Sequence, residues 1–266
     1  MEVEGWTTNI NTDVAHPARM YDYYLGGKDN FPADREAAEQ ALAASPAVRD
    51  MARQNRAFLQ RVVRFLAREA GIRQFLDIGT GLPTQGNVHE IAQAIAPDAR
   101  VVYVDNDPIV VVHSDALLAG HNTTAMQADL REPDAILERP EVREAIDFDQ
   151  PVAILVVAVL HFIQDAEDPV GIVARLRNAM APGSYLAISH GTTDLPKADP
   201  KVAARVVSAY RRTSAPVVLR TCAQIERFLD GFELVDPGLV QIQCWRPDGP
   251  IGNVPGGIYG AVGRRP

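Results

Sequence analysis

Between residues 32 and 70 the apolar positions recur at intervals of three and four. In AVRDMARQNRAFLQRVVRFLAREAG they are Val48, Met51, Ala52, Phe58, Leu59, Val62, Val63, Leu66 and Ala70, one stripe of a long helix, and Gly71 supplies a stop. The preceding PADREAAEQALAASP also reads as helix. After Gly71 the period changes. Short apolar runs predict strands at QFLDI (74–78), VVYVD (101–105), TAMQA (124–128), VAILVVAV (152–159) and YLAISH (185–190). Amphipathic stretches between them predict helices at 87–96, 108–119, 132–145 and 168–180. Nearly continuous Val/Ile/Leu strands alternating with helices imply a mostly parallel sheet covered on both faces, a doubly wound α/β fold. The C-terminal part adds expected helices at 200–212 and 221–229 and strands at 232–236, 239–245 and 257–263. The expected division is an N-terminal helical lid or cap over 1–72 and an α/β core over 73–266.

Composition narrows the function. With 266 residues and 47% hydrophobic content the chain can bury a large core without staples. A net charge of -8 argues against a general phosphate-backbone binder and favours a small-molecule substrate over nucleic acid. Cys222 and Cys244 lack metal-site spacing and read as buried small hydrophobes in a reducing compartment, with no metal expected. MEVEGWTTNI has no basic or apolar leader region, and no later run approaches the ~20 residues that span a bilayer. A cytoplasmic location without membrane contact is the expectation.

The chemistry-bearing residues fall at strand ends. LDIGTGLPTQGNVHEIAQAI closes the first strand with Asp77 and follows it with Gly79 and Gly81, which permit a sharp turn and close ligand approach. Asp105 ends the second strand roughly 25 residues after the glycines, the interval at which a nucleotide site places a ribose-binding carboxylate. The alternative is that it caps the helix that begins near Pro108, a task open to Asp107 instead. QADLRE places Asp129 where a carboxylate accepts from an adenine amine and Leu130 where an alkyl group packs on the ring; an N-cap role for Asp129 is the alternative. His161, after the fourth strand, is a candidate general base, substrate contact or pocket-lining residue. The loop Gly79-Thr80-Gly81-Leu82-Pro83-Thr84-Gln85-Gly86 brings its third glycine too late for the Gly-x-Gly-x-x-Gly of a nicotinamide site.

Asp77 before that loop and Ala128-Asp129-Leu130 after the third strand resemble class I S-adenosylmethionine-dependent methyltransferases. The longer segments HPARMYDYYLGGKDNFPADREAAEQ, RDMARQNRAFLQRVVRFLA, QFLDIGTGLPTQGNVHE, VVYVDNDPIV, VAVLHFI and APGSYLAISH are similar to the actinobacterial S-adenosyl methyltransferase family, formerly a domain of unknown function. The resemblance implies a Rossmann-like core and an enzyme that uses S-adenosyl-L-methionine; it does not supply the acceptor, for which the small-molecule expectation rests on charge. It places Asp77, Gly79 and Gly81 around the methionine moiety, Asp105 and Asn106 at ribose and adenine, and Asp129 and Leu130 at adenine. Pro83 departs from the wider class, where glycine is common.

Within YDYYLGGKDNFPADRE (21–36) a P-loop is excluded, because no strand precedes it and Lys28 is not followed by Ser or Thr. As a lid, Tyr21, Gly26, Gly27 and Lys28 would fold over the methionine end, with Arg53 or Arg56 pairing its carboxylate; otherwise Gly26-Gly27 is a helix C-cap. His161, His190 and Asp22 are the candidate bases. Neither an Asp-Pro-Pro-Tyr tetrad nor a catalytic Pro-Cys pair of DNA methyltransferases occurs. The rival readings are a module that senses S-adenosylmethionine without methyl transfer and a nicotinamide-dependent oxidoreductase.

Overall fold

The computed structural model describes residues 10–83, 86–110, 112–113, 122–194, 199–251 and 256–266. Its centre is one sheet of β1 (Gln74–Ile78), β2 (Arg100–Asp105), β3 (Thr123–Gln127), β4 (Ala153–Val157), β5 (Tyr185–Gly191), β6 (Glu233–Leu234), β7 (Val240–Gln241) and β8 (Ile258–Arg264). The order is β3-β2-β1-β4-β5-β8-β6, with β7 also on β8. β1 to β5 are mutually parallel, and β8 returns antiparallel along β5, pairing Ile188 with Ala261. Every residue of β1 and β4 is buried, as sheet interiors covered on both faces require.

The helices are α1 (Pro17–Leu25), α2 (Pro32–Ala44), α3 (Ala47–Arg68), α4 (Val88–Ile95), α5 (Pro133–Glu138), α6 (Pro140–Ala145), α7 (Pro169–Ala179), α8 (Pro200–Ala209) and α9 (Cys222–Glu226). One face of the sheet carries Leu76, Val102, Ile154 and Leu186 against α5, α6, α7 and α9. The other carries Phe75, Val101, Leu155 and Val262 against α4 and the Phe58, Val62 and Leu66 stripe of α3. A third cluster, with Ala15, Met20, Tyr24, Ala38, Ala41, Val48, Ala52 and Ala209, joins α1, α2, the start of α3 and α8. α3 therefore belongs to the sheet layer along most of its length, and packing places α8, from the far end of the chain, in the cap.

Several boundaries differ from the sequence reading. Residues 17–25, for which the sequence reading drew no element within the helical 1–72 region, form α1. Pro17 opens it behind His16, whose Nδ1 accepts from Ala18 N, and Gly26 closes it at φ 84°. Pro140 divides the expected 132–145 helix into α5 and α6, since its ring cannot continue the ladder. The strand expected over 152–159 stops at Val157, because Ala158 turns to φ 61° and a 3₁₀ turn follows over Leu160–Phe162. The strand expected over 239–245 keeps two residues before a 3₁₀ turn. Of the helix expected over 108–119, residues 108–110 and 112–113 are helical and the others lie outside the described residues. Cys222 is half-buried and Cys244 exposed, not buried as expected, and neither is bonded. No helix among the described residues is long and apolar enough to cross a membrane.

Candidate active site

A cavity of about 870 Å³ lies over the carboxyl ends of β1, β2 and β4, where the chain order reverses between β1 and β4. Tyr21, Met51, Asn55 and Arg56 line it from α1 and α3, and Val202, Val206, Val207 and Tyr210 from α8 and its end. Of the expected site residues, Asp77, Gly79, Gly81, Asp105, Asn106, Asp129, Leu130, His161, Tyr21 and Arg56 all line it.

The turn after β1 is fixed by backbone. Gly79 N and Thr80 N both donate to Val104 O on β2, at 2.7 and 3.2 Å. Gly79 sits at φ 71°, and a Cβ there would stand 2.2 Å from the Val159 side chain, so both conformation and space demand glycine. Asp77 accepts from Thr80 Oγ1 at 3.0 Å, and burial raises its pKa to about 6. Asp105 accepts Gly81 N through Oδ2 at 2.8 Å and Asp107 N through Oδ1 at 2.9 Å. Burial outweighs these bonds and lifts its pKa to about 7. A carboxylate has about four acceptor sites, so Asp105 retains capacity for two ribose hydroxyls.

Asp129 is more occupied. Arg131 N and Nη1 donate to it at 2.9 Å, as does Asn106 Nδ2 at 3.3 Å, which ties down the turn before α5. Arg56 donates Nη2 to Asn87 Oδ1 at 2.9 Å, while its Nε is buried without a hydrogen-bond partner. Arg53 is 61% exposed beside Asp50 and is not among the lining residues. Two part-satisfied carboxylates, a buried guanidinium N–H without a partner and a glycine turn fit the hydroxyl, ammonium and carboxylate groups of a nucleoside joined to an amino acid.

Three of the four expected lid residues, Gly26, Gly27 and Lys28, stand elsewhere. Gly27 packs behind α1, where a Cβ would lie 1.8 Å from Asp22 Oδ1, and Lys28 is exposed; neither lines the cavity. Gly26 and Gly27 are thus a helix C-cap, the alternative reading of the pair. Asp22, expected as a base, accepts Asp29 N at 3.0 Å and Asn30 Nδ2 at 2.8 Å behind that cap. Tyr21 donates to Ala52 O at 2.9 Å and accepts from Asn55 Nδ2 at 3.1 Å. Asn55 Oδ1 in turn accepts Ser189 Oγ at 2.6 Å, and Ser189 Oγ accepts Ala158 N at 2.9 Å. This relay holds Ala158 in its positive-φ turn at the cavity wall.

His161 Nδ1 accepts Gly191 N at 3.4 Å, and burial depresses its pKa well below the usual histidine value. His190 is not among the lining residues. Its Nδ1 meets Gly191 O at 2.7 Å and its Nε2 meets Arg220 Nη1 at 2.9 Å, so it is neutral with both nitrogens engaged, its pKa lowered to about 4 chiefly by burial. Arg220 also donates to Leu160 O and Ile163 O, pinning the segment that carries His161.

The S-adenosyl methyltransferase family profile matches residues 4–266. The chain belongs to this family. The methyltransferase shares 48% identity with a DUF574 family protein of Streptomyces avermitilis, covering 97% of this chain and 100% of that one at a TM-score of 0.91. A proposed methyltransferase of Thermobifida fusca is 44% identical, with 98% of each chain covered and a TM-score of 0.90. The mitomycin 7-O-methyltransferase MmcR, at 19% identity, 82% and 56% coverage and a TM-score of 0.52, shares the fold. No curated protein matches the sequence. The methyltransferase uses S-adenosylmethionine, as the sequence resemblance implied, and the nicotinamide reading is not favoured.

Sequence reasoning assigned no role to Thr80, Asn55, Arg131 or Ala158. Thr80 and Arg131 adjoin recognised motif residues and were legible as neighbours. Asn55 lies on the apolar stripe of α3 as a polar interruption, the one signal that could have singled it out.

Proposed function

We propose that the methyltransferase acts on a small acceptor held in the half of the cavity opposite the strand-end carboxylates. In this reading Asp77 faces the methionine ammonium, Arg56 Nε donates to the methionine carboxylate, Asp105 accepts the ribose hydroxyls, and Asn106, Asp129 and Leu130 border the adenine. Asp129 has to share its oxygens with Arg131, which makes it the weaker of the two nucleotide carboxylates. When bound, S-adenosylmethionine supplies an activated methyl group for in-line displacement, so the protein's main tasks are positioning and exclusion of water.

The observation that carries the reading is one continuous cavity with two kinds of wall. Carboxylates and glycines at the strand ends, with Arg56, supply its polar wall, and Val48, Met51, Phe162, Val206, Val217 and Leu219 supply its apolar wall. Small-molecule pockets typically span ~300–1,000 Å³, so about 870 Å³ leaves room for more than a nucleoside. That second chamber weighs against a sensor that binds cofactor alone. The test is calorimetric titration with S-adenosylhomocysteine. Binding to the native protein, weakened at least 10-fold in Asp105→Ala and in Arg56→Gln, is the expected result. Native-like affinity in both variants would overturn the assignment of the polar end.

A further inference from the structure

The acceptor chamber contains hydrogen-bond donors where a base-catalysed transferase would need a base. His161 is its imidazole, and its Nδ1 is already an acceptor for the Gly191 N–H. A neutral imidazole has one proton, which therefore sits on Nε2. The His161 ring packs edge-on against Phe162 at 4.4 Å and His190 at 5.5 Å between centroids, while Arg220 behind His190 opposes a second positive charge.

The other lining groups follow the same pattern. Phe162 leans on Tyr210 at 5.9 Å between ring centroids, and the Tyr210 hydroxyl lies 3.1 Å from that of Tyr24. The pair uses one hydroxyl proton between its members and leaves the other to donate. Burial raises both phenols, Tyr210 to about 12, so they stay protonated at neutral pH. In the reading above the remaining capacity of the carboxylates is turned to the cofactor: Asp77, which accepts from Thr80, to the ammonium, and Asp105, which accepts from Gly81 and Asp107, to the ribose, while Asp129 is held by Arg131. Asp199 is an exposed N-cap on Lys201 N at the rim. Among the described residues no carboxylate or imidazole nitrogen is left as a proton acceptor on the apolar side.

Resting on the reading that this half of the cavity holds the acceptor, we infer that the acceptor binds as an aromatic oxyanion, a phenolate of an acidic aromatic hydroxyl, with His161 Nε2–H as its hydrogen-bond donor. Its flat apolar body fits between Phe162, Tyr210 and the alkyl walls of α8. The oxyanion supplies the electron pair for the new O–C bond, the C–S pair stays on sulfur, and no proton has to move. His161 then recognises charge on the acceptor rather than removing a proton from it. A buried N–H donor binds an oxyanion more strongly than a neutral phenol oxygen, and the phenol's own O–H would meet no carboxylate or imidazole acceptor on this side.

The test uses 4-nitrophenol as a chromophoric acceptor analogue with protein saturated in S-adenosylhomocysteine, so that no turnover is required. At a pH where the free probe is half ionised, the visible phenolate band should grow on binding to the native protein. His161→Ala should lose at least 10-fold in affinity for the phenolate, and His161→Gln, which keeps an N–H at a similar reach, should recover most of it. A band that shrinks on binding would show the probe held as neutral phenol against a basic nitrogen, and would overturn the inference. So would saturation with S-adenosylhomocysteine but no binding of the probe. Failure to bind S-adenosylhomocysteine at all would instead remove the functional reading beneath it. The spectral change in the native protein decides the matter even where a variant does not fold.

Discussion

At the scale of single residues the site holds carboxylates in surroundings that disfavour their charge. Asp105 is buried at a strand end, with its two backbone donors outweighed by desolvation, and its pKa is raised to about 7. A folded-state carboxylate pKa above the unfolded value makes the folded state bind more protons. The contribution to stability is fully present below the unfolded value near 3.8 and is lost as pH rises through about 7. Asp105→Asn removes the charge but turns its amide NH2 toward one of the two backbone donors, a cost of about 1–3 kcal/mol that does not vary with pH. The melting temperature of the unliganded variant relative to the native protein should therefore rise between pH 4 and pH 8, by at least ~1 kcal/mol or about 2–4 °C. Its affinity for S-adenosylhomocysteine should fall, and in the native protein affinity should weaken as pH drops below about 7. Calorimetry and melting curves across that range check both signs; a difference in melting temperature that is the same at pH 4 and pH 8 would show that Asp105 carries no stored electrostatic cost. Strand-end aspartates were legible in the sequence because a short apolar run that stops at a carboxylate is a local pattern. Their protonation was not, because desolvation depends on what the fold stacks above them.

At the scale of elements, the periodic pattern identified α3, α4, α7 and the five parallel strands to within one or two residues, except where Ala158 ends β4 early. It missed α1. The helix is short, and its signals are the terminal ones, Pro17 and Gly26, around an aromatic cluster that suggests a loop. Once α1 is in place, Gly27 is explained by the 1.8 Å approach its Cβ would make to Asp22, and Lys28 points to no role in the cavity. The two residues therefore separate by experiment. Lys28→Ala should leave the affinity for S-adenosylhomocysteine and the melting temperature unchanged. Gly27→Ala should lower the melting temperature by an amount equivalent to about 1–3 kcal/mol, because a buried carboxylate has to move off Asp29 N and Asn30. Loss of affinity in Lys28→Ala would restore the lysine to the site.

At the scale of the whole molecule, the cavity has a roof built from both ends of the chain. α1 and α2 meet α8 in a cluster whose buried members are mostly alanines, whereas the two sheet cores bury Leu, Ile, Val, Phe and Trp. Burial of an alanine contributes far less than the ~1.5–3 kcal/mol of a large aliphatic side chain, so the roof is held less firmly than the two sheet cores. Sequence periodicity could assign α8 to the C-terminal part but not to this roof, since the pairing joins residues more than 150 positions apart, as in Tyr24 and Tyr210. A ligand between roof and sheet touches Tyr21 and Tyr24 on one side of the join and Val206, Val207 and Tyr210 on the other. Saturating it should stabilise both together. At a ligand concentration of ~100 Kd the gain is about 2.7 kcal/mol, which slows exchange through unfolding of the binding-competent state by roughly 100-fold. Backbone amides of α1, α2 and α8 should gain protection from hydrogen exchange by a common factor when S-adenosylhomocysteine and an aromatic acceptor analogue are both present. Protection confined to α1 and α2 would mean that α8 opens independently and that the acceptor chamber has its own gate. A common factor would mean that the cofactor and acceptor halves of the cavity close as one.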